Sequence, residues 1–292
     1  MELVLENLTK RYGNKKAVDN CNAVLQEGIY GLLGSNGSGK TTLMRMLASL
    51  IKPTTGAILL DGQHISMLDE FYREKIGYLP QHFGYYPNFT GIEFMVYIAS
   101  LKGIPKMIAV EQSERLLRSV GLEDVSNKKV KTYSGGMKQR LGFAQSLLGN
   151  PKILILDEPT AGLDPAERIR FRRIVANEAK GKIILISTHI VSDIEKMADQ
   201  ILIIKEGKIV YLKTEDELLD QIRGKVFIGE VNEHELAMLS SNCSIVNMQV
   251  KGCQYLLRVI ADQKPHDGFK ESEPNLEDFY LHIFEEERSI SE

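Results

Sequence analysis

Hydrophobic runs separated by polar and glycine-rich turns make the first two thirds of the chain an alternation of strands and helices. Of the predicted strands, the four with the strongest pattern are Gly28–Leu33, Lys152–Leu156, Ile183–Ser187 and Gln200–Ile204. The first three end in polar or glycine-rich residues and lead into helical stretches, as the strand-to-helix turns of a parallel sheet do. We therefore expect an α/β fold whose ligand binds at the carboxyl ends of the strands.

Two regions depart from this alternation. Between about Phe89 and Val130 the pattern predicts only helices, Glu93–Lys102 and Lys106–Val120, which indicates a helical insertion. From about Thr214 it predicts a small α+β region. Its expected elements are a helix at Glu215–Arg223, a strand at Val226–Glu230, a helix at Glu233–Leu239, a hairpin turning at Lys251–Gly252 and a final helix at Leu276–Glu287.

Composition and charge narrow the class of protein. The chain has 292 residues, 43% of them hydrophobic and 26% charged, which is typical of a folded protein. It has no apolar run near the roughly 20 residues of a membrane span, and its first residues lack the pattern of a secretory signal. We therefore expect a cytoplasmic protein.

Net charge differs between the two parts of the chain. Residues 1–215 carry 29 Lys and Arg against 23 Asp and Glu, whereas residues 216–292 carry 7 against 16. Neither part is basic enough to predict binding to nucleic acid. The three cysteines, Cys21, Cys243 and Cys253, form no CxxC pair, so neither a zinc site nor a disulfide framework is expected.

The strongest motif follows the first predicted strand. Residues 34–41 fit G-x-x-x-x-G-K-[ST], the pattern of a loop whose backbone N–H groups surround phosphates. We expect Lys40 to reach the β- and γ-phosphates, Thr41 to hold Mg²⁺ and Thr42 to contact the α-phosphate side. The predicted nucleotide-binding residues of this loop are Gly34, Ser35, Asn36, Gly37, Ser38, Gly39, Lys40, Thr41 and Thr42.

Two further motifs carry candidate chemistry. The apolar strand at 153–156 ends in Asp157, expected in the Mg²⁺ shell, and Glu158, a candidate to polarise the attacking water. Ser134, Gly135 and Gly136 precede a helix, and their hydroxyl and N–H groups are suited to bind phosphate. Because one nucleotide cannot easily reach both this site and the phosphate loop of the same subunit, a dimer is indicated.

Taken together, these motifs resemble the nucleotide-binding subunits of ATP-binding cassette (ABC) transporters over residues 2–212. The resemblance implies a P-loop NTPase core of ABC type with an antiparallel β subdomain, and a helical subdomain inserted at about residues 89–150. It assigns residues 1–213 to the ATPase domain and 214–292 to an accessory α+β region. ATP and Mg²⁺ are the implied ligands.

The resemblance also implies roles for single residues. Tyr12 lies where the family stacks an aromatic ring on adenine, and Gln81 matches the glutamine that contacts Mg²⁺ and faces the membrane partner. His189 lies at the family's switch histidine, and Asp164 ends the dimer-contacting D-loop at 161–164. The implied catalytic set is Lys40, Gln81, Glu158 and His189, and the implied metal set is Thr41, Gln81 and Asp157.

The signature motif departs from the commonest family pattern, since Tyr133 and Met137 replace the usual Leu and Gln. The change puts in question the contact that the usual Gln makes. Ser134 to Gly136 are intact and the acidic and histidine residues are present, so both sites of a homodimer are expected to be competent.

By the same resemblance, two copies close around two ATP molecules and drive separate membrane permease subunits, which would hold the protein at the cytoplasmic face of the membrane. The aromatic segment His82–Pro87 is the candidate docking surface; ordinary packing against the insertion is the alternative. The run Asn275–His282 resembles the L-E-D-x-F tail of ABC-2 and multidrug-type exporter ATPases, which favours export.

Other functions remain open at this point. An importer ATPase would have the same motifs, although many sugar importers carry a larger regulatory domain. A soluble ABC ATPase acting on ribosomes or DNA is disfavoured, because the chain has one cassette and no sustained heptads. A kinase or GTPase with a phosphate loop needs neither the signature motif nor the switch histidine.

Overall fold

The computed structural model describes residues 1–195, 197–239 and 243–285. In this part of the chain the strands are β1 (Leu3–Tyr12), β2 (Lys15–Leu25), β3 (Gly28–Leu33), β4 (Thr55–Leu60), β5 (Gln63–His64), β6 (Ile76–Leu79), β7 (Ile153–Asp157), β8 (Ile183–Thr188), β9 (Gln200–Lys205), β10 (Lys208–Lys213), β11 (Val226–Val231), β12 (Ser244–Lys251), β13 (Gln254–Ile260) and β14 (Lys270–Glu271). The α-helices are α1 (Lys40–Leu47), α2 (Ile65–Lys75), α3 (Gly91–Leu101), α4 (Lys106–Ser119), α5 (Gly135–Ser146), α6 (Pro165–Glu178), α7 (Val191–Ile194), α8 (Glu215–Leu219), α9 (Glu233–Leu239) and α10 (Leu276–Glu285). The chain divides into two compact units, Met1–Leu212 and Lys213–Glu292.

A six-stranded sheet in the order β10-β9-β3-β8-β7-β6 forms the centre of the first unit. The five strands from β9 to β6 run parallel, and nearly every residue of β3, β7 and β8 is buried. This is the pattern of a sheet covered on both faces. Because β3, β7 and β8 are neighbours, their carboxyl ends, which lead into the predicted motifs, meet at one edge of the sheet.

The four predicted strands are present, and the differences lie at their ends. Gly28–Leu33 has the predicted bounds. The strand predicted at Lys152–Leu156 runs instead from Ile153 to Asp157, because Asp157 pairs with Ser187 of β8 in parallel register. The strands β8 and β9 extend one residue beyond the predicted ends. The α/β prediction is therefore confirmed.

A second, antiparallel sheet in the order β2-β1-β4-β5 also belongs to the first unit. Its hairpin between β1 and β2 turns at Gly13 and Asn14, where Gly13 has φ +56°. Two-residue hairpin turns of this kind need positive φ, which glycine adopts without strain. The hairpin places Tyr12 directly opposite Lys15, so both side chains project from the same face of the sheet.

Helices α3, α4 and α5 share a hydrophobic core with one face of the parallel sheet. The helix predicted from Glu93 begins earlier, at Gly91, because Thr90 and Glu93 form a capping box. The helix predicted at Lys106–Val120 ends one residue before the predicted end. Among the described residues, no helix combines the length and the hydrophobicity needed to cross a bilayer.

The second unit contains a four-stranded antiparallel sheet in the order β12-β13-β11-β14. The predicted helix at Glu215–Arg223 is too long, because α8 ends at Leu219 and the next backbone bonds span only three residues. The short strand β14 was not predicted. The final helix is described to Glu285, so residues 286 and 287 of the predicted helix lie outside the described part.

A buried ion pair joins α10 to this sheet. Arg258 donates from Nε and Nη2 to the two carboxylate oxygens of Asp278, at 2.7 and 2.6 Å. Arg258 also donates to Ser272 Oγ, and Asp278 accepts a bond from the backbone N–H of Asn275. Leu276 and Phe279 of the same run are buried; the run reads Leu-Glu-Asp-Phe-Tyr, so Tyr280 stands where L-E-D-x-F has Phe. In this chain the tail motif therefore connects α10 to the sheet of the second unit.

Candidate functional site: a nucleotide-binding cavity

The phosphate loop connects β3 to α1. Gly39, with φ +110°, is the last residue before the helix, and a Cβ at this position would collide with the backbone carbonyl of Ala17. Lys40 Nζ donates to the carbonyl oxygens of Gly34 and Ser35, at 2.7 and 3.0 Å. Burial lowers the pKa of Lys40, and the carboxylates of Glu158 and Asp157 oppose this effect. The loop thus holds a buried cation at the start of a helix, which is a site suited to an anion.

A cavity of about 410 Å³ opens beside this loop. Most of its lining consists of residues predicted from the sequence to act on ATP: Tyr12, Asn36, Gly37, Gly39, Lys40, Thr41, Thr42, Gln81 and Glu158. An exposed aromatic ring, the phosphate loop, an amide and a carboxylate therefore meet in one cavity. The size and the mixed lining are typical of a small-molecule site.

Other predicted residues do not line the cavity. These are Gly34, Ser35, Ser38, Ser134, Gly135, Gly136, Asp157, Asp164 and His189. Gly34 and Ser35 contribute the carbonyls that hold Lys40, and Asp157 is buried behind Glu158 at the end of β7. The side chain of Asp164 caps α6 by accepting a bond from the N–H of Glu167 at 2.9 Å.

The two acids are held by residues of β8 and the loop that follows it. Ser187 Oγ donates to Asp157 Oδ1 at 2.6 Å and accepts from the backbone N–H of Glu158 at 2.9 Å. His189 Nδ1 lies 2.8 Å from Glu158 Oε2. Glu158 itself has φ +50°, a left-handed conformation that is strained for a residue with a side chain. The turn that brings Glu158 into the cavity is thus fixed by a buried hydroxyl and by a histidine.

The signature motif begins at Ser134, the N-cap residue directly before helix α5. Its Oγ accepts from Met137 N–H at 3.2 Å, and Met137 Sδ lies 3.5 Å from the N–H of Ser134. The thioether thus takes the place that a Glu or Gln side chain has in a capping box, as a weaker acceptor. Methionine in this departure from the common signature therefore preserves the geometry of the helix start.

The signature helix is tied to α6 through Gly136. A Cβ at Gly136 would lie 2.7 Å from Glu167 Oε2, so a larger residue at this position would displace the carboxylate from its present place. Glu167 forms a 3.2 Å ion pair with Arg140 Nε, and Arg140 Nη1 donates to the carbonyls of Val120 and Gly121. The position of the signature motif therefore depends on contacts with the helix that follows the D-loop.

The predicted metal residues fit magnesium by their chemistry. Thr41 and Gln81, which carry a hydroxyl and an amide oxygen, line the cavity, and the buried carboxylate of Asp157 belongs to the residue directly before Glu158. Mg²⁺ prefers such oxygen ligands and is usually held by one or two protein groups together with substrate phosphates. Among the described residues no cluster of three or more His, Cys, Asp or Glu side chains is suited to hold a metal.

Sequence reasoning missed three residues of the site: Lys15 and Ala17, which line the cavity, and Ser187. Lys15 lines the cavity because it lies opposite Tyr12 in the hairpin, and Ser187 joins the two acids. The sequence signal for Lys15 is a Gly-Asn turn two residues long directly after Tyr12. For Ser187 it is a polar residue at the end of an otherwise apolar strand, two positions before His189.

Comparisons with known proteins agree with this arrangement. The sequence profile of the family described as ABC transporter matches residues 18–161. The chain is 44% identical over 207 residues to the bacitracin transport ATP-binding protein BcrA of Bacillus licheniformis, covering 70% of this chain and 67% of that protein. It is 41% identical over 232 residues to the uncharacterized ABC transporter ATP-binding protein YxlF of Bacillus subtilis, covering 79% and 77%.

Solved structures show the same fold. The dimeric structure of MJ0796, described as a bacterial ABC transporter cassette, superposes with a TM-score of 0.66 at 27% identity, covering 73% of this chain and 98% of that one. A post-hydrolysis state of the same cassette, bound to ADP and Pi, superposes with a TM-score of 0.65 at 26% identity, with the same coverage. On its motifs, its fold and these similarities, the chain belongs to the ABC transporter family and is one of the family's ATP-binding subunits.

Proposed function

We propose that this chain binds and hydrolyses ATP, with Mg²⁺, to power export by an ABC transporter whose membrane-spanning subunits are separate chains. The observation that carries the proposal is the cavity in which Tyr12, the phosphate loop, Gln81 and Glu158 meet. These are the groups needed to stack a base, surround phosphates and polarise a water molecule.

Each group has a role that follows from its position. Tyr12 stacks on the base, while the loop N–H groups and Lys40 bind the phosphate chain. Thr41, Gln81 and Asp157 would hold Mg²⁺, which when bound would neutralise charge on the phosphate oxygens. Glu158 orients and polarises the attacking water, and His189 holds the carboxylate of Glu158 in place.

The signature residues require a second copy of the chain. Ser134, Gly135 and Gly136 lie outside the cavity, although their N–H groups and hydroxyl are suited to bind a phosphate. In a head-to-tail dimer the signature motif of one copy would close on the ATP bound by the other, and Asp164 would lie at the contact. The dimeric cassette of MJ0796 supports this arrangement. ATP would then favour the closed dimer, and its hydrolysis would remove that preference.

A groove on the helical insertion supports docking to a membrane subunit. Helices α3 and α4 line a depression of about 790 Å³ with Phe89, Ile92, Val96, Tyr97 and Ile104 on its walls. Exposed apolar grooves rimmed by polar residues mark interaction sites. A helix of a permease subunit is the occupant we propose, which would hold the protein at the cytoplasmic face of the membrane.

Some aromatic residues of the segment His82–Pro87 pack against the helical insertion, and others are exposed and available for docking. Phe83 packs into the core of the helical insertion, edge-on against Phe94 at 5.5 Å, so its ring serves packing. Tyr86 is 48% exposed and stacks on Phe89, one of the groove residues. We therefore narrow the candidate docking surface to Tyr86 and the groove beside it.

Export is favoured over import by the relatives. The bacitracin transport protein BcrA is one, and the lantibiotic transport ATP-binding protein SrtF of Streptococcus pyogenes is 39% identical over 73% of this chain. Both names refer to the transport of an antibiotic, a cargo that fits export better than the uptake of a nutrient. The transported compound of this chain is set by its membrane subunits, and we propose none.

The proposal is tested by capturing partners in the closed state. Tagged Glu158→Gln protein is added with ATP and Mg²⁺ to detergent-solubilised native membranes, and the bound proteins are identified by mass spectrometry. Lys40→Ala protein, which lacks the phosphate-binding ammonium, is the matched control. We expect a multi-spanning protein with Glu158→Gln and much less of it with Lys40→Ala.

Three results would contradict different parts of the proposal. Recovery of ribosomes or nucleic acid without a membrane protein would refute transport and support a soluble ABC ATPase. ATP turnover near the wild-type rate in Glu158→Gln would refute the role given to Glu158. Uptake of a substrate into cells that depends on the captured partner would replace export by import.

A further inference from the structure

A fully buried hydroxyl joins the two acids of the site. Ser187 is the parallel-strand partner of Asp157, and its side chain has no exposed surface. Its Oγ–H donates to Asp157 Oδ1 at 2.6 Å, a short bond of the kind formed with a charged acceptor. The same oxygen accepts from Glu158 N–H at 2.9 Å. One hydroxyl thus contacts the carboxylate of one acid and the backbone of the other.

These two bonds act on different parts of the site. The bond to Asp157 engages Oδ1 and limits the rotation of the carboxylate, so the orientation of this expected metal ligand depends on the hydroxyl. The bond to Glu158 holds a residue whose φ of +50° is strained for a residue with a side chain, so the turn persists only where neighbours fix it. Without the hydroxyl, Glu158 N–H keeps only the longer 3.2 Å bond to the carbonyl of Ser187.

The phosphate-binding groups are independent of this hydroxyl. Lys40 Nζ bonds to Gly34 and Ser35, and Ser187 is not among the residues that line the cavity. Removing the hydroxyl therefore leaves the groups that hold the phosphates of ATP in place. Its loss acts on the metal carboxylate and on the residue that polarises water.

We propose that Ser187 is a positioning residue for ATP hydrolysis, which sets the orientation of the Asp157 carboxylate toward Mg²⁺ and the turn that directs Glu158 to the attacking water. The inference rests on the proposed ATPase function. It predicts that Ser187 governs the response to Mg²⁺ and the rate of the chemical step, while the affinity for metal-free ATP is set elsewhere.

The test compares Ser187→Ala with Thr188→Val in the full chain. Thr188 is an equally buried hydroxyl on the next residue, and it accepts a bond from Ile190 N–H without contacting either acid. Three quantities are measured for each variant: ATP affinity in EDTA, the gain in ATP affinity on titration with Mg²⁺, and the kcat and KM of hydrolysis.

For Ser187→Ala we expect the wild-type ATP affinity in EDTA. The Mg²⁺ concentration required should rise about 10- to 100-fold and kcat should fall by a similar factor, as is typical when a group that orients a metal ligand is removed. KM for ATP at saturating Mg²⁺ should change little. Thr188→Val should keep the wild-type response to Mg²⁺. Equal shifts in both variants would mean a general loosening of the strand end and would overturn the proposal, as would a wild-type response in Ser187→Ala.

A second variant covers a failure to fold. If Ser187→Ala does not bind ATP in EDTA, Ser187→Cys replaces it, since a thiol has nearly the same shape and is a weaker donor. A wild-type Mg²⁺ requirement and kcat in Ser187→Cys would overturn the proposal. If the wild-type chain itself neither binds nor hydrolyses ATP, the proposed function fails, whatever the behaviour of the variants.

Discussion

Replacing Asp278 with Asn removes one partner of the ion pair that fastens α10 to the second unit. The side chain of Asp278 is 3% exposed and the side chain of Arg258 is 17% exposed, so solvent screens their interaction only weakly. Three hydrogen bonds converge on Asp278, two from Arg258 and one from the N–H of Asn275. An amide keeps one acceptor oxygen and loses the charge, which leaves the guanidinium buried without its counterion.

The expected loss follows from the burial of this pair. Removing one partner of a buried ion pair costs about 3–5 kcal/mol, and we expect the lower end because the amide still accepts one bond. For a domain of this size each kcal/mol lowers Tm by about 4–8 °C, so a loss of about 3 kcal/mol corresponds to about 12–24 °C. Since such a domain has a total stability of about 4–12 kcal/mol, the second unit should be largely unfolded well below the wild-type transition.

The assay is hydrogen exchange of the full chain, read on peptides of β11, β13 and α10, together with scanning calorimetry. Glu277→Gln is the matched control, because Glu277 is the adjacent acid, is exposed, and loses the same charge. Every residue that lines the nucleotide cavity belongs to Met1–Leu212, so ATP affinity should stay at the wild-type value in both variants. Equal protection of α10 in Asp278→Asn and Glu277→Gln would refute the reasoning.

Three further predictions concern the first unit. Lys15→Ala should weaken ATP binding about fivefold at low salt, because Lys15 lines the cavity and an exposed charge contact contributes up to about 1 kcal/mol. Lys16→Ala is the control and should not weaken binding, because Lys16 pairs with Asp19 at 2.8 Å. Equal weakening in both variants would contradict this assignment. Gly136→Ala should lower the free energy of unfolding by about 1–3 kcal/mol, because the added Cβ displaces Glu167. Gly135→Ala is the control and should not lower it, because a Cβ there meets no heavy atom within 4 Å. Thermal melts of the two variants test this difference. Burial lowers the pKa of Lys40, so its ammonium group is fully protonated only at pH values below that lowered pKa. ATP affinity should therefore fall as the pH rises through the lowered pKa, before the ordinary pKa range of lysine is reached. Nucleotide titrations at several pH values test this expectation, with Lys40→Arg as the control that keeps its charge; a parallel loss in that variant would contradict it.

The sequence by itself determined much of this protein, because its signals are local. The strands β3, β7 and β8 follow from apolar runs of the right length, and each functional motif stands directly after a strand or before a helix. The conformational demands of the phosphate loop are encoded in its glycines, whereas the base-stacking role of Tyr12 is implied by the resemblance to the family. Local sequence thus gave the fold class, the cavity's main lining residues and the chemistry expected there.

Only the tertiary structure decided which distant residues share the site. Ser187 reaches Asp157 because β8 pairs with β7 in one register, and His189 reaches Glu158 across the same pair. In the same way, Gly136 lies against Glu167 of another helix, and Asp278 serves the fold because it pairs with Arg258. Such contacts join residues about 20 to 30 positions apart or more, and the packing of whole elements selects them. Propensities and spacings along the chain contain no measure of that packing, so these partners could not be read from the sequence.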